Sequence, residues 1–201
     1  MRTMKDISAP CVTVETVAGS RDVALSVVHR TNGNIFISGE IDREAAENFL
    51  LQMLYYEQEF PERPVNVFIN SPGGEVRSGL IIIDILKKTK LDVNLICCGI
   101  AYSMAAVILS SARPGHRYAY EHAHIMIHEP LISRMGGSAS NIREISENMM
   151  RTRDILNGIL AEHTGRTIEE INKATSFDNY MSAEEALRFG IVDMIMDGIT
   201  L

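Results

Sequence analysis

The chain has 201 residues, 46% of them hydrophobic and 22% charged, with a net charge of −7 and three cysteines. Such a composition suits one folded unit with a sizeable core and excludes wholesale disorder. The acidic balance and the lack of any Lys/Arg run argue against nucleic acid as a partner, and apolar runs such as "GLIIIDIL" are far too short to span a bilayer.

The first residues, about 1–20, read as a flexible N-terminal segment, and "MRTMKDISAP" has no apolar stretch of the secretory kind. Cys11, Cys97 and Cys98 make an odd set, which fits a reducing, cytoplasmic setting better than a disulfide framework. The vicinal pair reads either as a redox or metal pair or as two small buried hydrophobes.

From Asn32-Gly33 a turn leads into an alternating strand, "NIFISGEI". Asp42 then caps a helix whose apolar face is Ala45, Phe49, Met53 and Tyr56. "PVNVFIN" (64–70) is a short buried strand that ends at the turn "SPGG", and helical spacing resumes at Val76, Leu80 and Ile83. "LDVNLICCG" is the next strand. Its apolar run breaks at Gly99, passes Ser103 and resumes as a helix, and "HAHIMIHEP" gives another strand closed by Pro130. A long helix follows, with Ile142, Ile145, Met149, Leu156 and Ile159 on one face. Thr167 with Glu170, and Ser182 with Glu185, form two capping boxes. Gly190 ends the last helix and "IVDMIM" is a final strand. Strands alternating with helices predict an α/β layered domain with largely parallel pairing.

Three places carry chemistry. In "NSPGGEVRSG" (70–79) two glycines open a helix after a proline-preset turn. Backbone N–H groups there can face outward to hold an anion or oxyanion, or the stretch is an ordinary strand-to-helix turn. "AYSMA" is a relaxed G-x-S-x-G elbow with alanines at the glycine positions, so Ser103 is either a helix cap or a nucleophile. In the second case the Met104 amide is a donor for the developing oxyanion. His122, His124 and His128 share one strand face by their spacing, which invites a zinc reading, yet no further ligand cluster accompanies them. His128 stands apart at the strand end, where active-site residues gather. Spacing alone selects no acid.

Taken together, "INSPGGEVRSGLIIID", "GIAYSMAAVILSSA", "RYAYEHAHIMIHEPL", "LAEHTGRTIEEI" and "DNYMSAEEALRFGIVDMI" resemble the proteolytic subunit of the Clp protease (ClpP), in order, from about Ile35 to Ile195. The resemblance implies a crotonase/ClpP-like α/β fold of repeated β-β-α layers with a protruding strand-helix handle at about 130–160. It further implies a single peptidase domain over 1–201, acting as a serine endopeptidase without metal or cofactor. Position by position it puts the nucleophile on Ser103, the base on His128, the acid on Asp178 and the oxyanion donors on the amides of Gly74 and Met104. Stacked seven-membered rings, a separate ATP-driven unfoldase and unfolded polypeptide substrates come with it. No G-x-x-x-x-G-K-[ST] stretch is present, so unfolding energy must come from another chain.

The chain departs from the family pattern in three places. "SRDVALSVVHRTNGN" does not match the usual unfoldase-docking segment, "ISRM" precedes Gly136-Gly137, and Phe177 replaces an arginine commonly tied to ring–ring contact. These departures motivate an alternative: a catalytically impaired paralogue serving as a structural or regulatory subunit of mixed rings. A crotonase-type acyl-CoA enzyme shares the strand-to-helix turn but needs no serine–histidine–aspartate set.

Overall fold

A computed structural model describes residues 10–16, 19–131 and 136–199. The first strands, β1 (Cys11–Thr16) and β2 (Gly19–Ala24), pair antiparallel, so part of the segment expected to be loose is a hairpin; residues 1–9, 17 and 18 of that segment lie outside the described ones. Its largely exposed side chains explain why no core pattern announced it. Helix α1 (Leu25–Thr31) follows without a buried residue and leads into β3 (Asn34–Ser38).

From β3 onward the apolar pattern directs the chain. Ile35 and Ile37 point into the core while Phe36 between them stays exposed, the period-two signature of a strand with one covered face. Asp42 caps α2 (Arg43–Glu59), its carboxylate accepting from the Ala45 amide at 2.8 Å. The buried stripe of α2 runs through Ala46, Phe49, Met53 and Tyr56, one residue on from the expected Ala45, which is only half-buried. β4 (Val65–Ser71), α3 (Val76–Lys88) and β5 (Val93–Tyr102) complete two parallel crossovers. Ile82, Ile83 and Leu86 of α3 are buried, with Val76 and Leu80 packed at the margin.

Gly99 does not break the strand as its composition suggested. β5 runs through it to Tyr102, and only then does α4 (Met104–Ser110) begin. The first part of β5 pairs with β6 (Arg117–Tyr120) and the last part with β7 (His124–Ile127), so one strand changes neighbour partway along. At the same place its register against β4 slips, from Ile69 opposite Cys97 to Ser71 opposite Ala101. β5 therefore carries two more residues than β4 across this interval, a bulge that re-aims the strand end.

Helix α5 (Ala139–Thr164) keeps its buried residues, Leu156, Asn157 and Leu160, in its last third. Both expected capping boxes are present, on α6 (Ile168–Thr175) and on α7 (Ala183–Phe189), and α7 ends at Gly190. β8 (Asn179–Ser182) runs antiparallel to β7, and β9 (Met194–Met196) parallel to β6. Among the described residues this gives a mixed α/β protein with seven helices and a seven-stranded, mostly parallel sheet in the order β3-β4-β5-β6-β9, with β7 joining β5 to β8. It is the layered parallel architecture expected from the pattern.

Candidate active site

The carboxyl ends of β5 and β7 face one place, as the open ends of parallel strands generally do. Ser103 occupies the step from β5 into α4 with φ 55° and ψ −122°, and among the described residues no other non-glycine has a positive φ. That conformation belongs to the first central position of a type II′ turn, a place glycine normally fills. It costs an ordinary residue about 1–3 kcal/mol. The strain is held in place on both sides: the Ser103 amide donates to the Met126 carbonyl at 2.7 Å, and Ala101 and Ala105 pack with no exposed surface. A serine acting only as a helix cap would turn its hydroxyl to the following amides, but Ser103 makes no such bond.

The hydroxyl instead meets His128. Nε2 of His128 lies 2.8 Å from Ser103 Oγ, and Nδ1 lies 2.9 Å from Asp178 Oδ1. His128 follows β7 directly, and Asp178 precedes β8. Ile127 pairs with Asn179 in the antiparallel ladder, so the next position on one strand faces the preceding position on the other. This pairing brings together an acid and a base that stand 50 residues apart in sequence. His128 is 13% exposed at its side chain and Asp178 57%, so the chain of bonds is sheltered at the serine end and open at the acid end. With an exposed Phe177 beside it, the three-residue contact is nonetheless closed.

A third element completes the site. The loop Pro72-Gly73-Gly74 packs against the serine step, backbone on backbone: a Cβ on Gly73 would lie 2.6 Å from the Tyr102 carbonyl oxygen, 2.9 Å from Ser103 Cβ and 3.1 Å from the Met104 nitrogen. Gly73 also has φ 95°, so both its space and its conformation demand glycine. The Gly74 and Met104 amides have no acceptor among the described residues, and both residues line the same cleft as Ser103 and His128. That cleft measures about 230 Å³ and is walled by apolar side chains, Val76, Val107, Met126 and Leu156 among them. The Met104 side chain is itself buried against α3, where Gly79 leaves it room, so Met104 contributes packing as well as its amide. The arrangement can move a proton from a hydroxyl to an imidazole beside two free amides and an apolar cleft.

The other candidates fall outside this cluster. His122 and His124 are exposed, and among the described residues no group of three or more His, Cys, Asp and Glu is placed to hold a metal. Burial pushes the Cys97 thiol up to about 12, and the half-buried Cys98 is likewise raised by burial while its Sγ donates to the Ile69 carbonyl. Asn70 and Ser71, passed over in the sequence, both bond to the segments that meet here; the quoted motif contained them, but nothing in their spacing marked them out. Among the described residues no helix is long and apolar enough to cross a membrane.

The family model for Clp protease matches residues 19–198 of the 201. Membership in that family implies peptidase activity and, in general, assembly into rings that work with an unfoldase. With nearly the whole chain matched and a site assembled from the matched segments, the chain belongs to the Clp protease family.

Proposed function

We propose that this chain is a serine-type endopeptidase in which Ser103 is the nucleophile, His128 the general base, Asp178 the acid that orients it, and the amides of Gly74 and Met104 the oxyanion donors. The observation that carries the reading is the unbroken bond chain from Ser103 Oγ through His128 to Asp178, set on the one strained non-glycine residue described. A serine hydroxyl is a poor nucleophile at neutral pH, so His128 Nε2 takes its proton as Oγ attacks the peptide carbonyl. Asp178 holds the Nδ1 proton, which leaves Nε2 free to accept and stabilises the imidazolium. The two amides take up the negative charge on the tetrahedral oxygen, each worth about 3 kcal/mol. His128 then gives its proton to the leaving amine. Water, activated the same way, releases the acyl group from Ser103.

The apolar cleft suits an apolar side chain next to the scissile bond. The whole chain would act as one peptidase domain, with the segment around 130–160 as a handle; "ISRM" (132–135) lies outside the described residues. Support for a handle comes from α5, where Ile142 is exposed and Ile145 and Met149 are half-buried, ahead of the buried Leu156. Such a row is suited to another subunit, in stacked heptameric rings fed unfolded polypeptide by a separate ATP-driven unfoldase.

A fluorophosphonate probe should modify Ser103, and Ser103→Ala should abolish both labelling and peptide cleavage. Labelling that persists in that variant defeats the assignment. One observation favours a second reading, a weakly active subunit of mixed rings: Phe177 is 60% exposed beside an open Asp178, an apolar surface that a different partner subunit would cover. Cleavage by the purified chain alone, compared with cleavage after mixing with an active relative, separates the two.

A further inference from the structure

The Pro72–Gly74 turn contains more amides than the site uses, and their fates differ. Pro72 has no N–H. The Gly73 N–H donates to Ser71 Oγ at 3.1 Å, and the Glu75 N–H donates to the Ile41 carbonyl at 2.7 Å. The Gly73 carbonyl is taken as well, by the Ile41 N–H at 2.8 Å. Only the Gly74 N–H is left without an acceptor among the described residues. A Pro-Gly pair is the chemistry of a type II turn, normally closed by a bond from the fourth amide to the first carbonyl. Here that bond, from Gly74 to Ser71, is not made. Had it been, the turn would have consumed the donor that the cleft requires.

What stands in for the missing closure is the Ser71 side chain. Its hydroxyl is fully buried; it accepts from Gly73 and donates to the Gly39 carbonyl at 2.6 Å, using both of its capacities at once. One residue earlier, the Asn70 side chain reaches the other way. Its Oδ1 accepts from the Ile100 N–H at 3.1 Å, filling the gap left where β5 carries its extra residues. The absent Cβ of Gly99 admits it, since a Cβ there would lie 2.5 Å from Asn70 Oδ1. Ser71 therefore ties the glycine turn to the loop after β3, while Asn70 ties it to the strand that ends in Ser103.

We propose that Ser71 and Asn70 are positioning residues: Ser71 occupies the Gly73 amide so that only Gly74 presents a free N–H, and Asn70 fixes that turn in register with the serine step. The inference rests on the peptidase reading above, in which Gly74 is an oxyanion donor. Neither side chain touches the reacting atoms. Both act through where the Gly74 amide points when the tetrahedral oxygen forms.

The test uses the full chain and a fluorogenic peptide. The purified parent must first label at Ser103 with a fluorophosphonate. Failure there sinks the peptidase reading and takes this proposal with it, before any variant is compared. In Ser71→Ala, kcat should fall about ten- to a hundredfold, short of the roughly 10²–10³ seen when an oxyanion donor is lost outright. KM should stay within about twofold, because ground-state binding does not use the oxyanion. Affinity for a peptidyl boronate, which forms the tetrahedral adduct, should fall in parallel with kcat. A folded Ser71→Ala with the parent's kcat, or one in which only KM rises, overturns the proposal. If Ser71→Ala does not fold, the exposed Asn70 decides. Asn70→Ala should lose about five- to tenfold in kcat, and Asn70→Asp, which keeps an acceptor for the Ile100 amide, should stay within about twofold of the parent. Equal rates in the two Asn70 variants overturn it.

Discussion

The parallel sheet carries a polar chain at each of its ends, and the two behave oppositely. At the amino ends of β3, β4 and β5, Asn34, Asn66 and Asn94 stand in register across the strands. Asn94 Nδ2 donates to Asn66 Oδ1 at 2.9 Å and Asn66 Nδ2 to Asn34 Oδ1 at 3.3 Å, while His116 Nδ1 closes one end 2.8 Å from Asn94 Oδ1. At the carboxyl ends, Ser103, His128 and Asp178 form a chain of similar lengths. Both are hydrogen-bonded series that include a histidine. The first joins three asparagines carried on one strand ladder with no positive-φ residue among them, closed by His116 just ahead of β6; the second starts from a strained backbone and adjoins two free amides and an apolar cleft. On the proposed peptidase reading, what sets the second chain apart is that its surroundings leave donors unused and hold a hydroxyl where it would not rest alone.

Breaking the carboxyl-end chain should have the largest effect. Asp178→Asn, which turns an acceptor for the Nδ1 proton into a competing donor, is expected to cut kcat by about 10⁴-fold with little change in thermal stability. Steady-state peptide cleavage and a melting curve measure the two together. Next comes the support of that chain. Gly73→Ala forces a Cβ against the Tyr102 carbonyl at a positive φ, so about a hundredfold loss of turnover and a lower melting temperature should appear together. Asn66→Ala, at the opposite end, should reverse the pattern. Chemical denaturation should show a loss of about 1–2 kcal/mol from the stranded Asn94 and Asn34 amides, with turnover unchanged within twofold. A rate defect in that variant would blur the contrast between the two ends.

The smallest effect concerns pH. Asp193 meets Arg117 at the amino end of β6. Burial pushes its carboxyl upward, but the Arg117 guanidinium, with the amides of Gly115 and Arg117, outweighs it and holds the pKa below the ordinary aspartate value. A lowered folded pKa adds stability that is fully present above the unfolded pKa of about 4 and is lost as pH falls through the folded value. Asp193→Asn should therefore differ most from the parent near pH 7, and the gap should narrow below about pH 4. Denaturation midpoints at several pH values check the sign.

Legibility in the sequence followed the same physics. Strand β3, helix α2 and the two capped helices were readable because each imposes its own period or cap on neighbouring residues. The hairpin β1–β2 was not, since its side chains mostly face solvent and the short Val12/Val14 alternation covers no core face. β6 was missed as an element: four residues in which Arg117 is buried by its pairing with Asp193 do not look like a strand. In the site, Ser103, His128 and the glycine turn could be suspected from local pattern. Asp178 was reached only through family resemblance, because its place beside His128 depends on antiparallel pairing that no local spacing encodes. Ser71 and Asn70 left no trace beyond their motif, since what they do depends on which amides remain free after folding.

The backbone at Ser103 has a further consequence. Glycine would sit there at ease, so Ser103→Gly should melt above the parent while cutting nothing, whereas Ser103→Ala would keep the strain and gain nothing. Inactivity is thus thermodynamically downhill at this one position. If Ser103 is the nucleophile proposed above, its hydroxyl is held at this angle at a cost in folding stability that a glycine would not bear.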